Sequence, residues 1–120
     1  MNSEKWRMHR RDGHIWQMGA KNMYDIIIVG GGPAGVSAAL TSHSRGKNVL
    51  VISNSYKESG LYKAKLIENY PGMKSISGAD MLEIMYDQLQ AAGIEVKNAR
   101  ALTAMNMGSS FSVSAGQDYY

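Results

Sequence analysis

The sequence predicts an α/β domain organised on a parallel sheet, and three observations predict it. A continuous β-branched run, Ile26-Ile27-Ile28-Val29, leads directly into glycines, as in a strand buried on both faces. A turn with glycines at 30, 32 and 35 follows it in GxGxxG spacing. After an alanine-rich helical stretch comes a second apolar run, Val49-Leu50-Val51-Ile52. Strand, turn, helix and strand in this order form the unit that binds the phosphates of a dinucleotide.

Each residue of the turn has a part. Gly30 permits the tight turn, Gly32 lets a pyrophosphate approach the backbone, and Gly35 allows close packing of helix on strand. Pro33 falls in the first helical turn, where its missing N–H costs little. A helix starting here aims unpaired N–H groups and the positive end of its dipole at the turn. Val36, Ala39 and Leu40 give the helix its apolar stripe, and Gly46 is a suitable stop. His43 belongs to the solvent side. At the end of the second strand, where a carboxylate would accept from ribose hydroxyls, stands Ser53. The neutral stretch Ser53-Asn54-Ser55, followed by Lys57, is also compatible with a 2′-phosphate, so the turn by itself leaves FAD and NAD(P) both open.

Further on, Ser77 and Asp80 form a capping box. Met81, Leu82, Met85, Leu89 and Ala92 recur at helical spacing until Gly93, which predicts a core-facing helix. Glu83 and Asp87 fall on its solvated face. After Ile94-Glu95-Val96, residues 101–105 and Phe111-Ser112-Val113-Ser114 flank a Gly108-Ser109-Ser110 turn, the pattern of an antiparallel hairpin.

Composition bounds the function. A chain of 120 residues with 44% hydrophobic and 19% charged residues supports one domain. It has no cysteine, which excludes disulfides, thiolate metal sites, a cysteine nucleophile and a redox dithiol within these residues. The net charge of +3 sits entirely in residues 1–22, where Lys5, Arg7, Arg10, Arg11 and Lys21 oppose Glu4 and Asp12. Both tryptophans lie there too, so the sequence predicts a boundary at Met23: residues 1–22 as a disordered or non-native extension, and 23–120 as the domain. The extension lacks a signal-peptide apolar core, a helical apolar stripe and any basic-aromatic repeat, which argues against nucleic acid and membrane as partners. No apolar run approaches the ~20 residues needed to span a bilayer. No metal-ligand spacing and no nucleophile, base and acid constellation is present.

Two blocks carry a family resemblance: GGGPAGVSAAL at residues 30–40, and LIENYPGMKSISGADMLEIMYDQLQAAGIEV at 66–96. Together they resemble the FAD domain of low-molecular-weight thioredoxin reductases and related flavin-dependent oxidoreductases. The resemblance implies a Rossmann-like FAD-binding domain in three layers, a parallel sheet plus a small antiparallel β-meander, truncated at its C-terminal end. It implies Gly30, Gly31, Gly32, Pro33, Ala34 and Gly35 at the pyrophosphate, Ser53 near the ribose, and Gly60, Leu61 and Asn69 toward the flavin. Where the family has two glycines and a glutamine before that leucine, this chain reads Glu58-Ser59-Gly60, so the glutamine amide is absent. Asn69 offers a donor and an acceptor in one amide, and Pro71-Gly72 supplies a turn to present it. The implied activity is FAD-mediated electron transfer to the disulfide of a thioredoxin-like protein, with NADPH or another electron donor, in a cytoplasmic homodimer. The alternatives are an NAD(P)-binding domain of another dehydrogenase and a non-catalytic dinucleotide-binding fragment.

Overall fold

A computed structural model describes residues 9–11, 14–16 and 23–120. Strands β1 (His9–Arg11) and β2 (His14–Trp16) pair antiparallel, with Arg10 opposite Ile15. The extension expected at residues 1–22 otherwise lies outside the described residues.

From Met23 the chain enters a parallel sheet through a polar clasp. The Asn48 backbone N–H donates to the Asp25 carboxylate at 2.7 Å, the Asp25 N–H donates to the Asn48 carbonyl at 2.9 Å, and the Asn48 side-chain amide donates to the Met23 carbonyl at 3.1 Å. Strand β3 (Ile26–Val29) then pairs parallel with β4 (Val49–Ser53), and β4 with β5 (Glu95–Asn98), in the order β3-β4-β5. Helix α1 (Pro33–Ser44) makes the first crossover, and Gly46 beyond its end takes a φ of +78°, the left-handed stop its sequence calls for. Helix α2 (Gly78–Ala91) makes the second. Its N-cap is Ser77, whose Oγ accepts from the Asp80 N–H at 3.1 Å, and Gly93 follows its end with a φ of +72°.

The central strand explains the layers. Val49 and Val51 of β4 face the helices, joining Val36 and Ala39 of α1 with Met81, Met85 and Leu89 of α2. Leu50 and Ile52 face the other way, against Val113 and Ala115. Val49-Leu50-Val51-Ile52 is uniformly apolar because both of its faces are covered, whereas alternation would leave one wet. The second cover is an antiparallel meander of β6 (Ala101–Asn106), β7 (Phe111–Ala115) and β8 (Asp118–Tyr119). The order is thus helices, parallel sheet, meander, as the α/β reading predicts.

The meander departs from simple alternation. Phe111 is exposed, while Ser114 is buried. Ser114 pairs with Thr103 beside a bulge in β6 between Ala101 and Thr103, and its Oγ accepts from the Thr103 N–H at 3.2 Å and bonds the Thr103 hydroxyl at 2.7 Å, which satisfies the buried hydroxyl. His43, Glu83 and Asp87 are exposed, as their positions on the helices require.

Candidate functional site: a groove at the strand ends

Parallel strands deliver their C-terminal ends to one edge of the sheet, and the chain leaves all three there. Val29 runs into the glycine turn, Ser53 into Asn54 and Ser55, and Asn98 into Ala99 and Arg100. Between these segments is a groove of about 530 Å³ lined by Gly30, Gly31, Gly32 and Pro33, by residues 52–56, by Glu58, Ser59 and Leu61, and by Ala99–Ala101. Its volume lies within the range of small-molecule sites, and its place is the crevice where open α/β sheets hold ligands.

The turn is built from three differently constrained glycines. Gly30 has a φ of +114°, a conformation that a side chain opposes, and its N–H donates to the Ile52 carbonyl at 2.9 Å, which locks the turn to β4. Gly35 lies so close to β3 that an added Cβ would overlap the Gly30 carbonyl oxygen. Gly32 is different: an added Cβ would meet nothing within 4 Å. It is the N-cap of α1, and no side chain caps that helix. Only from Val36 onward do the N–H groups bond back into the helix, beginning with Val36 to Gly32 at 2.9 Å. The first turn therefore presents backbone donors and a positive dipole end to open space, which suits a phosphate.

Of the residues expected at the cofactor, Gly30, Gly31, Gly32, Pro33, Ser53 and Leu61 line the groove. Ala34 and Gly35 belong to the first turn of α1 without lining it, and Gly60 and Asn69 also lie off its walls. Asn69 is exposed. It immediately precedes a turn in which the Met73 N–H donates to the Tyr70 carbonyl at 3.2 Å, with Pro71 and Gly72 (φ +84°) at its corners. Ser53 is engaged locally: its Oγ accepts from the Gly31 N–H at 3.1 Å and donates to the Asn54 carbonyl at 3.0 Å. The Leu61 loop is clamped by α2, because an added Cβ at Gly78 would overlap the Leu61 carbonyl, and the Gly78 N–H donates to Ala64 at 2.9 Å.

Sequence reasoning missed Arg100, Tyr56 and Tyr86. Arg100 and Glu58 are the charged residues of the lining, and no local motif announces the arginine. Tyr56 lines the groove and packs on Tyr86 with ring centroids 4.4 Å apart, and on Tyr62 at 5.9 Å. Tyr86 is four residues after Leu82 and three before Leu89, which places it on the apolar face of α2, a signal the sequence did carry. Among the described residues there is no helix long and apolar enough to cross a membrane and no metal-binding group of His, Cys, Asp or Glu.

Comparison with known proteins agrees with this geometry. The FAD binding domain family matches residues 25–65, which hold β3, the glycine turn, α1, β4 and the Leu61 loop. Thioredoxin reductase of Mycoplasma pneumoniae is 40% identical over 67 residues, 56% of this chain and 21% of that protein. Thioredoxin reductase of Aquifex aeolicus is 36% identical over 81 residues, 67% of this chain and 25% of that protein. Among solved structures, thioredoxin reductase from Streptococcus pyogenes superposes with a TM-score of 0.77 at 31% identity, over 82% of this chain and 32% of that one. A ferredoxin-flavin thioredoxin reductase from Clostridium acetobutylicum gives 0.73 at 35% identity, over 81% and 34%. The chain thus spans about a quarter of the curated relatives and a third of the structural ones. In sequence and in fold, this chain is similar to the FAD-binding part of thioredoxin reductases.

Proposed function

We propose that the groove binds FAD and that the chain is the FAD-binding part of a flavin-dependent oxidoreductase that passes electrons to a protein disulfide. The observation that carries this is the turn itself, with Gly32 opening onto free space at the head of an uncapped helix. The residues present fit a dinucleotide. The N–H groups of the first turn of α1 would hold the pyrophosphate, and Ser53 and the Ala99–Ala101 segment flank space for the adenosine half. Bound FAD supplies the redox centre. The chain's own contribution is to bind and orient it: the Gly30 bond to β4 fixes the turn, Leu61 and Leu82 supply apolar wall, and Arg100 adds positive charge toward an anionic ligand. These 120 residues hold no cysteine, so they supply no thiolate to the disulfide exchange, and NADPH is the donor expected of the whole protein.

Titrating FAD with the purified chain tests the reading. Saturable quenching of flavin fluorescence, reversed by excess ADP, is expected. Tight uptake of NADP⁺ with none of FAD would replace it with the dehydrogenase alternative.

A further inference from the structure

The Tyr86 hydroxyl is buried yet has no hydrogen-bond partner, the one such side-chain atom among the described residues. A buried phenol without an acceptor is costly, so its place calls for an explanation. It lies under the phosphate turn. An added Cβ at Gly31 would overlap the Tyr86 hydroxyl, and the same point is 2.8 Å from the Ser53 Oγ. Gly31 is therefore glycine because two hydroxyls converge on it from α2 and β4. The Ser53 Oγ already accepts from Gly31 and donates to Asn54, but a hydroxyl oxygen accepts twice, so one lone pair remains beside the unpartnered Tyr86 donor.

We propose that Tyr86 is a positioning residue for the dinucleotide groove: its hydroxyl is a donor held for Ser53, engaged when Ser53 gives its own proton to the adenosine part of a bound dinucleotide instead of to Asn54. Ser53 lines the groove and Tyr86 does not, so the tyrosine acts through the serine. Tyr56, which lines the groove and covers the Tyr86 ring, keeps that hydroxyl dry. Binding then gives the Tyr86 donor a partner, which couples α2 to the turn. This inference rests on the dinucleotide reading and assigns a role within it.

The test is Tyr86→Phe, Ser53→Ala and the double variant, each followed by apo melting temperature and by titration with FAD and with ADP. Tyr86→Phe should melt no lower than the parent, since it deletes an unpaired donor, yet bind FAD and ADP about 10-fold more weakly, the effect of one hydrogen bond. A residue with a merely structural role would not move these readouts in opposite senses. In the Ser53→Ala background the Tyr86→Phe loss should vanish. Unchanged affinity in Tyr86→Phe, a lower apo melting temperature, or a full additive loss in the double variant would each overturn the proposal. If the parent binds ADP but not FAD, the FAD reading fails while the ADP series still decides the role of Tyr86; binding of neither would sink both.

Discussion

The two outer contacts of the glycine turn should separate stability from binding, and Gly35→Ala against Gly32→Val is the pair that shows it. At Gly35 a methyl group would be driven into the Gly30 carbonyl oxygen and within 3.3 Å of an Ile28 methyl. Overpacking of this kind costs about 1–3 kcal/mol. Alanine returns up to about 1 kcal/mol of helix propensity. From the middle of that cost range, about 2 kcal/mol, the net loss is about 1–2 kcal/mol, which for a domain of this size lowers Tm by roughly 4–16 °C. At Gly32 the backbone is extended, φ −77° and ψ −175°, which valine accepts, and its side chain enters empty space. Folding should change by less than about 1 kcal/mol, from the poorer N-cap alone. The same valine occupies the approach to the α1 donors, and losing one charge-assisted hydrogen bond of about 1.5–3 kcal/mol corresponds to roughly 10- to 150-fold in affinity. Circular-dichroism melting and FAD fluorescence titration on both variants measure the two quantities. A Gly32→Val protein that binds FAD like the parent, or a Gly35→Ala protein that melts with it, would refute the division of labour within the turn.

Three other outcomes are expected. Leu89→Ala, at a fully buried position on α2, should cost about 2–5 kcal/mol and is read by urea unfolding; a loss below 1 kcal/mol would mean that the helix does not pack on the sheet as described. Burial, aided by a 2.6 Å hydrogen bond to Glu95, raises the Tyr24 phenol well above its ordinary value of 10.0. Above pH 10 the unfolded chain therefore releases this proton while the folded one keeps it, so Tyr24 stabilises the fold below pH 10 and that contribution is lost as pH climbs toward the raised value. Tyr24→Phe should show a shallower fall in Tm above about pH 10, and identical slopes would contradict the assignment. Removing residues 1–22 should leave Tm within about 2 °C, because the sheet's own hydrogen bonds begin at the Met23–Asp25 clasp; unfolding on removal would make the extension structural.

How much was legible follows from the reach of each interaction. The turn, both helices and their stops rest on local chemistry, such as the Ser77 cap and the left-handed glycines at 46 and 93, and they read directly from spacing. The two covered faces of β4 were legible in its unbroken apolar run. The β1–β2 pairing falls within residues 1–22, which the sequence reads as an extension from its charge and tryptophans rather than from any strand pattern. Arg100 escaped for a physical reason: only the second crossover carries the end of β5 to the side of Ser53, and a single sequence contains no local trace of that neighbour. The Tyr86 hydroxyl beneath Gly31 is of the same kind, a contact between α2 and the first turn that helical periodicity narrows to a face but not to a partner.

The parallel order β3-β4-β5 also sets a sequence of events in folding. Pairing Ile26 with Val49 closes 49 − 26 = 23 residues, and pairing Leu50 with Glu95 closes 95 − 50 = 45, whereas Asn106 meets Phe111 across a short turn. Doubling a loop costs only about 0.6 kcal/mol more, but such closures must be made before the contacts they enable can reward them. The β6–β7 hairpin should form within microseconds, and the β4–β5 seam should be late. Because the groove is bounded by the ends of all three strands, it is complete only when that last seam zips. A nascent chain can thus own its hairpin and its glycine turn and still have no cofactor site to offer.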